Sequence, residues 1–225
     1  MDALLDALAV LLPVECAGCG SPDRSLCAAC RAALEPEVSS RLLSPSLRVW
    51  SGLEYDGVPR AVLLALKRDG RLDVARALAP VLAAAVSGLE ERGEATHLET
   101  DPVHLVPIPP SRRSFRRRGY DPVRLLMRRA RLPASRPFAA ARPHAAQKTL
   151  DVESREHNLR DAFRVRRAVA GHRILLIDDI VTSGATLREA ARVLTLAGAQ
   201  VIGAAVVAST AKRYDPLRTS PVTFP

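Results

Sequence analysis

The chain has 225 residues, of which 48% are hydrophobic and 25% charged, so it can bury a sizeable core and is not intrinsically disordered as a whole. The net charge is +9, yet only three of the 33 basic residues are lysines. The arginine excess has two interpretations: a phosphate-rich ligand that suits the guanidinium fork, or a GC-rich genome. No apolar run reaches the roughly 18 residues of a membrane helix, and the N-terminus carries Asp2 and Asp6. We therefore expect a cytoplasmic protein that does not bind membranes.

The first 36 residues are expected to form a unit of their own, a short helix over residues 4–12 followed by a metal site. The four cysteines form two CxxC pairs separated by seven residues, namely Cys16, Cys19, Cys27 and Cys30. Four thiolates at this spacing suit one tetrahedral Zn²⁺ ion. Disulfides conflict with the missing secretion signal, and a redox CxxC motif would not be duplicated. The spacing therefore predicts a structural zinc site.

The following residues predict an α/β domain over residues 47–210. A polar stretch with proline and serine, residues 35–46, is typical of a linker. Strands are predicted at residues 47–55, 103–108, 174–177 and 201–208, with a short strand near Phe138. Helices are predicted at residues 58–66, 71–89 (bent at Pro80), 122–130 and 185–197. Continuous apolar strands that alternate with helices indicate a mostly parallel sheet covered on both faces. Residues 211–225 are expected to be a flexible tail.

The most informative segment runs from Ile174 to Leu187 and reads ILLIDDIVTSGATL. A buried strand is followed by Asp178 and Asp179, then by a loop of small and hydroxyl residues that leads into a helix. Backbone amides, hydroxyls and the helix N-terminus together make a phosphate site, and paired carboxylates suit neighbouring sugar hydroxyls. A pentose phosphate would satisfy both halves. The alternative, an acidic strand end before an N-capped helix, does not account for the full pattern.

This segment resembles the phosphoribosyl pyrophosphate (PRPP) motif of type I phosphoribosyltransferases. The whole chain is similar to the ComF family (competence protein F), whose members pair a four-cysteine zinc motif with a phosphoribosyltransferase domain. Further matching stretches are Tyr55-Asp56-Gly57 with Leu66-Lys67, Val106-Pro107-Ile108-Pro109, Arg118-Gly119-Tyr120, residues 147–155, Asn158 and Ala162-Phe163. The resemblance implies a type I phosphoribosyltransferase fold and covers residues 1–210.

The resemblance also implies a role for individual residues. Asp178 and Asp179 would hold the ribose hydroxyls as catalytic residues, and Lys148 and Arg155, in the stretch where the family has a mobile catalytic loop, would neutralise the departing diphosphate with Mg²⁺. Either cation could equally be a solvated surface charge. The 5′-phosphate loop would be Val181, Thr182, Ser183, Gly184, Ala185 and Thr186. The pyrophosphate loop would be Val106, Pro107, Ile108 and Pro109.

The sequence departs from the family pattern after Arg118-Gly119. An aromatic residue, asparagine and glutamine commonly follow there, whereas this chain has Tyr120, Asp121 and Pro122. Asp121 and Pro122 instead predict an N-cap and first turn of a helix. Little sequence follows the last strand, so the hood that selects the nucleobase in other phosphoribosyltransferases would have to come from the N-terminal part.

An arginine cluster lies between the pyrophosphate loop and this helix, at Arg112, Arg113, Arg116, Arg117 and Arg118. It could attract an anionic substrate, contact single-stranded DNA, or be a solvated basic face. The leading hypothesis is a phosphoribosyltransferase that uses PRPP and Mg²⁺, with an unidentified acceptor and a family link to competence and the DNA-uptake machinery. The rival is a non-catalytic protein that binds single-stranded nucleic acid and retains the PRPP site as a sensor or relic. A zinc-stabilised interaction module would explain only the cysteines.

Overall fold

The computed structural model describes residues 14–22, 24–91, 102–140, 163–165 and 167–211. The helix expected over residues 4–12 and the tail from residue 212 lie outside these ranges. The strands are β1 (Ser39–Ser44), β2 (Leu47–Glu54), β3 (Val103–Pro107), β4 (Phe138–Ala140), β5 (Phe163–Val165), β6 (Arg173–Val181) and β7 (Gln200–Ser209). The helices are α1 (Ala28–Ala32), α2 (Gly57–Arg68), α3 (Ala75–Glu91), α4 (Arg112–Arg118), α5 (Pro122–Arg129) and α6 (Ala185–Leu196), and a 3-10 turn (Leu72–Val74) precedes α3.

Five strands form the main sheet in the order β1-β2-β7-β6-β3. The pairs β2–β7, β7–β6 and β6–β3 are parallel, and β1 pairs with β2 in antiparallel fashion at the edge. Strands β4 and β5 form a separate antiparallel pair. The expected mostly parallel sheet is confirmed, with the addition of one antiparallel edge strand.

Alternation along β6 explains why helices cover both faces of the sheet. Leu175 and Ile177 belong to one buried cluster, whereas Ile174 and Leu176 belong to the other. The first cluster contains side chains of α2, α3 and α5, among them Leu63 and Leu82, and the second contains side chains of α6. Successive residues of a strand point to opposite faces, so a continuously apolar strand requires a cover on each side.

Helix α3 is the most apolar helix of the described residues. The segment Leu72–Leu89 is long and apolar enough, by length and composition, to cross a membrane, but half of it is buried inside the protein. It contacts β2 and β7 of the sheet as well as α5. A core helix passes the same test, so this finding is weak evidence for a membrane span. Pro80 lies inside the helix.

Two local predictions were wrong, and one segment without a prediction is helical. The stretch over residues 35–46, interpreted as a linker, contains strand β1. Strand β6 does not end at Ile177 but continues through both aspartates to Val181, because β7 pairs with it as far as Ser209. The arginine cluster, to which no secondary structure was assigned, forms helix α4, in which Ser111 caps the N-terminus and Gly119 ends the helix with a φ of 76°.

Candidate functional site

The four cysteines form a compact cluster at the N-terminal end of the described chain. All are free thiols, and their Sγ atoms lie within 4.8 Å of one another. The Cys19 and Cys27 sulfurs are 3.7 Å apart, and a zinc ion bound at about 2.3 Å would place its four sulfurs about 3.8 Å apart. The backbone amide of Cys27 donates to Cys16 Sγ at 3.3 Å, and that of Cys30 donates to Cys27 Sγ at 3.4 Å. Number, spacing and chemistry of these donors fit a tetrahedral metal ion.

The electrostatics of the thiols also favour a cation. Burial disfavours the Cys16 thiolate, but backbone amides, above all that of Cys27, hold the pKa of Cys16 at about 6. Burial and the neighbouring cysteines raise the pKa of Cys30 above its ordinary value. Several thiolates cannot share this space unless a cation compensates their charges.

The cysteine cluster is attached to the α/β domain by Arg71, which follows helix α2. The Arg71 guanidinium donates to the carbonyl of Glu15 at 3.0 Å and to that of Ser25 at 3.2 Å, and it forms an ion pair with Asp73 at 3.0 Å. Cys16 and Cys30 are buried in the same apolar cluster as the helices of the sheet. The cysteine cluster therefore shares its core with the domain that carries the second site.

The second site lies at the carboxyl ends of β3 and β6. Pro107 pairs with Ile177, and the amide of Ile108 donates to the carbonyl of Ile177 at 2.8 Å. This register places Val106–Pro109 beside Asp178, Asp179 and the loop that follows them. The structure thus brings together the two segments that were predicted to bind pyrophosphate and ribose 5-phosphate.

The two aspartates differ in their surroundings because they project to opposite faces of β6. Asp179 is 5% exposed, and its Oδ1 accepts from Lys67 Nζ of α2 at 3.0 Å. Asp178 lines the pocket of the following loop, and its Oδ1 accepts the backbone amide of Asp179 at 2.8 Å. Desolvation, with the charge of Asp179, raises the pKa of Asp178 well above its ordinary value. Asp178 is thus the carboxyl that faces the pocket of the loop, and Asp179 is held in an ion pair.

The loop from Val181 to Thr186 has the geometry of an anion site. Together with Asp178 it lines a pocket of about 40 Å³. Gly184 caps helix α6 with a φ of 77°, and the amide of Ala185 donates to Ser183 Oγ at 3.4 Å. Helix α6 has twelve residues, so its N-terminal amides and dipole favour negative charge at this loop.

Helix α5 adds a third carboxyl to this region. Asp121 is confirmed as the N-cap, and its side chain accepts the amide of Arg124 at 3.1 Å. Burial, followed by the charge of Asp179, raises the pKa of Asp121 to about 6. The hydroxyl of Tyr120 donates to the carbonyl of Leu66, the residue before Lys67. The departure from the family pattern at Tyr120-Asp121 therefore lies next to the Lys67–Asp179 ion pair.

Lys67 and Asp121 were not assigned to the site from the sequence. Lys67 was noted only as part of a matching stretch, and Asp121 only as a helix cap. The sequence could have pointed to Lys67, because it is one of only three lysines in an arginine-rich chain. Lys148 and Arg155, the predicted catalytic cations, lie outside the described residues.

The arginine cluster lies near the same edge of the sheet, because helix α4 begins shortly after Pro109. Arg112, Arg113, Arg116 and Arg117 are exposed, and Arg118 Nε donates to the carbonyl of Ser114 at 3.3 Å. A pocket of about 630 Å³ lies beside α5 and is lined in part by Asp121, Arg124, Arg128, Arg131 and Arg136. Positive charge is therefore concentrated on two surfaces near the candidate site.

Comparisons with known proteins relate the chain to a family. Residues 117–225 match the family model of the phosphoribosyl transferase domain. The DNA utilization protein YhgH of Escherichia coli is 32% identical over 146 residues, which are 61% of this chain and 61% of that protein. Its counterpart in Salmonella typhimurium is 30% identical over 199 residues, 83% of this chain and 80% of that protein. The chain thus spans about three fifths of the first relative and four fifths of the second.

Two solved structures show a weaker likeness. Hypoxanthine phosphoribosyltransferase from Trypanosoma cruzi has a TM-score of 0.36 and 16% identity, covering 68% of this chain and 74% of that one. Adenine phosphoribosyltransferase from Leishmania tarentolae has a TM-score of 0.35 and 14% identity, covering 76% of this chain and 82% of that one.

Proposed function

Because the chain belongs to the ComF family and has the type I phosphoribosyltransferase fold, we propose that it binds PRPP at the carboxyl edge of its sheet and transfers the 5-phosphoribosyl group. The observation that carries this proposal is the register of β3 against β6, which brings Val106–Pro109 next to Asp178, Asp179 and the loop through Thr186. No other group of described residues combines a helix N-terminus, hydroxyls and carboxyls in this way.

In the proposed reaction the loop and the N-terminus of α6 bind the 5′-phosphate, and Asp178 meets the ribose hydroxyls, while Asp179 stays paired with Lys67 on the other face of β6. The bond between ribose C1 and pyrophosphate breaks, the electron pair leaves with pyrophosphate, and the acceptor forms a new bond to C1 and releases its proton. Catalysis then rests on positioning and on neutralising the departing charge. Mg²⁺ carried by the diphosphate would supply positive charge, and Asp178 is the carboxyl best placed to meet it.

Calorimetry with PRPP and Mg²⁺ tests this proposal. We expect the wild type to bind and the Asp178→Asn/Asp179→Asn variant to lose binding. The control variant Glu35→Gln/Glu37→Gln removes two exposed carboxylates elsewhere and should bind like the wild type. PRPP at 100 times its Kd should also stabilise the fold by about 2.7 kcal/mol. Wild-type protein that neither binds nor is stabilised at millimolar PRPP would contradict the proposal. Release of pyrophosphate with candidate acceptors then tests catalysis.

We further propose that Cys16, Cys19, Cys27 and Cys30 bind one structural Zn²⁺ ion. The mutual distances of the four sulfurs support this assignment, and such a site requires a reducing compartment, which supports a cytoplasmic location. Elemental analysis should find one zinc per chain. A metal-free protein with an intact fold would contradict the assignment.

A second candidate function is binding of single-stranded DNA. It is supported by the exposed arginines of α4, the arginine-lined pocket beside α5 and the description of the relatives as DNA utilization proteins. The variant Arg113→Ala/Arg116→Ala/Arg117→Ala should bind single-stranded DNA more weakly at low salt. Its slope of log affinity against log salt should fall by about 2, at about 0.7 per lost phosphate contact. The control Arg24→Ala/Arg31→Ala/Arg60→Ala removes three exposed arginines elsewhere; an equal loss in both variants would indicate net charge alone.

A further inference from the structure

We infer that edge strand β1 is part of the phosphate site and that Arg41 is a positioning residue for the loop at Thr182–Gly184. The inference rests on the proposed function, in which this loop binds the 5′-phosphate. Arg41 lies in the antiparallel strand and pairs with Val49 of β2. Its Nη2 donates to the carbonyl of Thr182 at 2.8 Å, across 141 residues of sequence.

A second arginine holds the next carbonyl of the same loop. Arg188, in the first turns of α6, donates from Nη1 to the carbonyl of Ser183 at 2.8 Å. In a trans peptide the carbonyl of one residue points opposite to the N–H of the next. The two guanidinium groups therefore direct the amides of Ser183 and Gly184 away from themselves. Neither amide donates to an acceptor among the described residues, so both are available to an anion.

Strand β1 also covers the backbone of the loop through Leu43. A Cβ atom added to Gly184 would lie 2.8 and 2.9 Å from the two methyl carbons of Leu43. Leu43 packs against the apolar cluster on the α6 face of the sheet. The register of β1 against β2 shifts between Leu42 and Ser44, at Leu43. The edge strand thus contacts the loop at two points, the carbonyl of Thr182 through Arg41 and the Cα of Gly184 through Leu43.

The charge of Arg41 is only partly compensated within the protein. Its Nε is buried and has no hydrogen-bond partner, and burial lowers the pKa of the guanidinium. A buried donor without a partner is unfavourable, and a partly desolvated cation beside a neutral carbonyl benefits from a nearby anion. A phosphate bound in the loop would provide that negative charge.

Binding measurements on Arg41 variants test the inference. In Arg41→Met we expect the affinity for PRPP and for ribose 5-phosphate to fall by about 10- to 100-fold, the range for a lost charge-assisted hydrogen bond. The affinity for pyrophosphate, which lacks the 5′-phosphate, should not change. Arg41→Lys should restore part of the loss. The control Arg48→Met removes a neighbouring arginine of β2 whose Nη1 donates to Ser40 Oγ. A folded Arg41→Met protein that binds ribose 5-phosphate like the wild type would overturn the inference.

A second measurement separates this inference from the proposed function. Order parameters of the Thr182–Gly184 amides, measured by NMR without ligand, should fall in Arg41→Met towards the flexible range below about 0.6 and stay unchanged in Arg48→Met. Unchanged order parameters in Arg41→Met would overturn the positioning role even if PRPP binds. Wild-type protein that binds neither PRPP nor ribose 5-phosphate would instead overturn the proposed function.

Discussion

The cysteine cluster and the proposed phosphate site are built in opposite ways. All four thiols come from residues 16–30, and the amides that donate to them belong to the same segment. The phosphate site draws Arg41 from β1, Lys67 from α2 and Asp179 from β6, contacts that span 112 and 141 residues of sequence. We therefore expect the local cluster to depend on a bound metal for its order, whereas the dispersed site depends on the whole sheet.

The two regions are nevertheless connected through a short stretch of chain. Lys67 pairs with Asp179 at the end of α2, and Arg71 binds the carbonyls beside the cysteines. Loss of order in the cysteine segment would remove the two carbonyls that accept from Arg71 and leave it only its pair with Asp73 among these contacts. We therefore expect the cysteine cluster to support the phosphate site, and substitutions in the phosphate site to leave the cysteine cluster intact.

The largest expected effect is that of Cys16→Ser. Structural zinc contributes on the order of 10 kcal/mol of binding free energy in small zinc domains at neutral pH, so we expect loss of zinc and a fall of several kcal/mol in the free energy of unfolding. PRPP affinity should fall as well. Metal content, urea unfolding and calorimetry measure the three effects. Ala29→Ser, on the exposed side of α1, is the control. Full stability and full PRPP binding in zinc-free Cys16→Ser would break the proposed connection.

Gly184→Ala should have the next largest effect and should act on the phosphate site alone. A left-handed φ costs a non-glycine residue about 1–2 kcal/mol, and the new methyl would also collide with Leu43. We expect a stability loss of about 2–4 kcal/mol, loss of PRPP binding and unchanged zinc content. Gly171 has the same φ of 77° and nothing within 4 Å of an added Cβ, so Gly171→Ala measures the backbone cost alone.

The double variant Gly184→Ala/Leu43→Ala separates the collision from the backbone cost. In the Leu43→Ala background, Gly184→Ala should lower the free energy of unfolding by less than it does in the wild type, because the collision with Leu43 is absent. A double-mutant cycle measures this difference. Strict additivity of the two substitutions would mean that β1 does not cover the loop.

Lys67→Met is expected to destabilise the protein by about 1–3 kcal/mol, because it leaves a buried carboxylate without its cation. This loss of stability is smaller than the loss expected for a fully buried ion pair, because the Lys67 side chain is 27% exposed. Lys67→Met/Asp179→Asn should recover part of this loss. Urea unfolding measures both, with the exposed neighbour variant Arg68→Met as control. If Lys67→Met is no less stable than Arg68→Met, the ion pair does not stabilise the fold.

The smallest effect concerns pH. The pKa of Asp121 is about 6 in the folded protein, above the ordinary value of about 3.9. The folded state therefore binds more protons than the unfolded state between these values, and stability falls as pH rises through this window. Asp121→Asn keeps a good N-cap. Its free energy of unfolding should gain about 1 kcal/mol relative to that of the wild type as the pH rises from 4 to 7. A pH-independent difference in urea unfolding would contradict the raised pKa.

The elements that could be predicted from sequence are those with a strong local pattern. The apolar runs in β2, β3, β6 and β7, the CxxC pairs and the Asp121-Pro122 helix start each carry their signal within a few residues. Strand β1 could not be recognised, because Ser-Ser-Arg-Leu-Leu-Ser has no regular alternation and only one strand partner. The Lys67–Asp179 and Arg41–Thr182 contacts have no local signal, since they arise only when distant strands and helices pack together.

The order of strands has a consequence for synthesis of the protein. Strand β7, the last of the described strands in sequence, lies at the centre of the sheet between β2 and β6. Until the ribosome has released Gln200–Ser209, the β1–β2 hairpin and the β3–β6 pair lack the strand that joins them. Such non-local parallel pairing folds slowly and leaves apolar strand edges exposed meanwhile. Nascent chains of this protein should therefore depend on chaperones until β7 has left the ribosome, and chains that terminate before residue 200 should be degraded rather than accumulate as a smaller folded form.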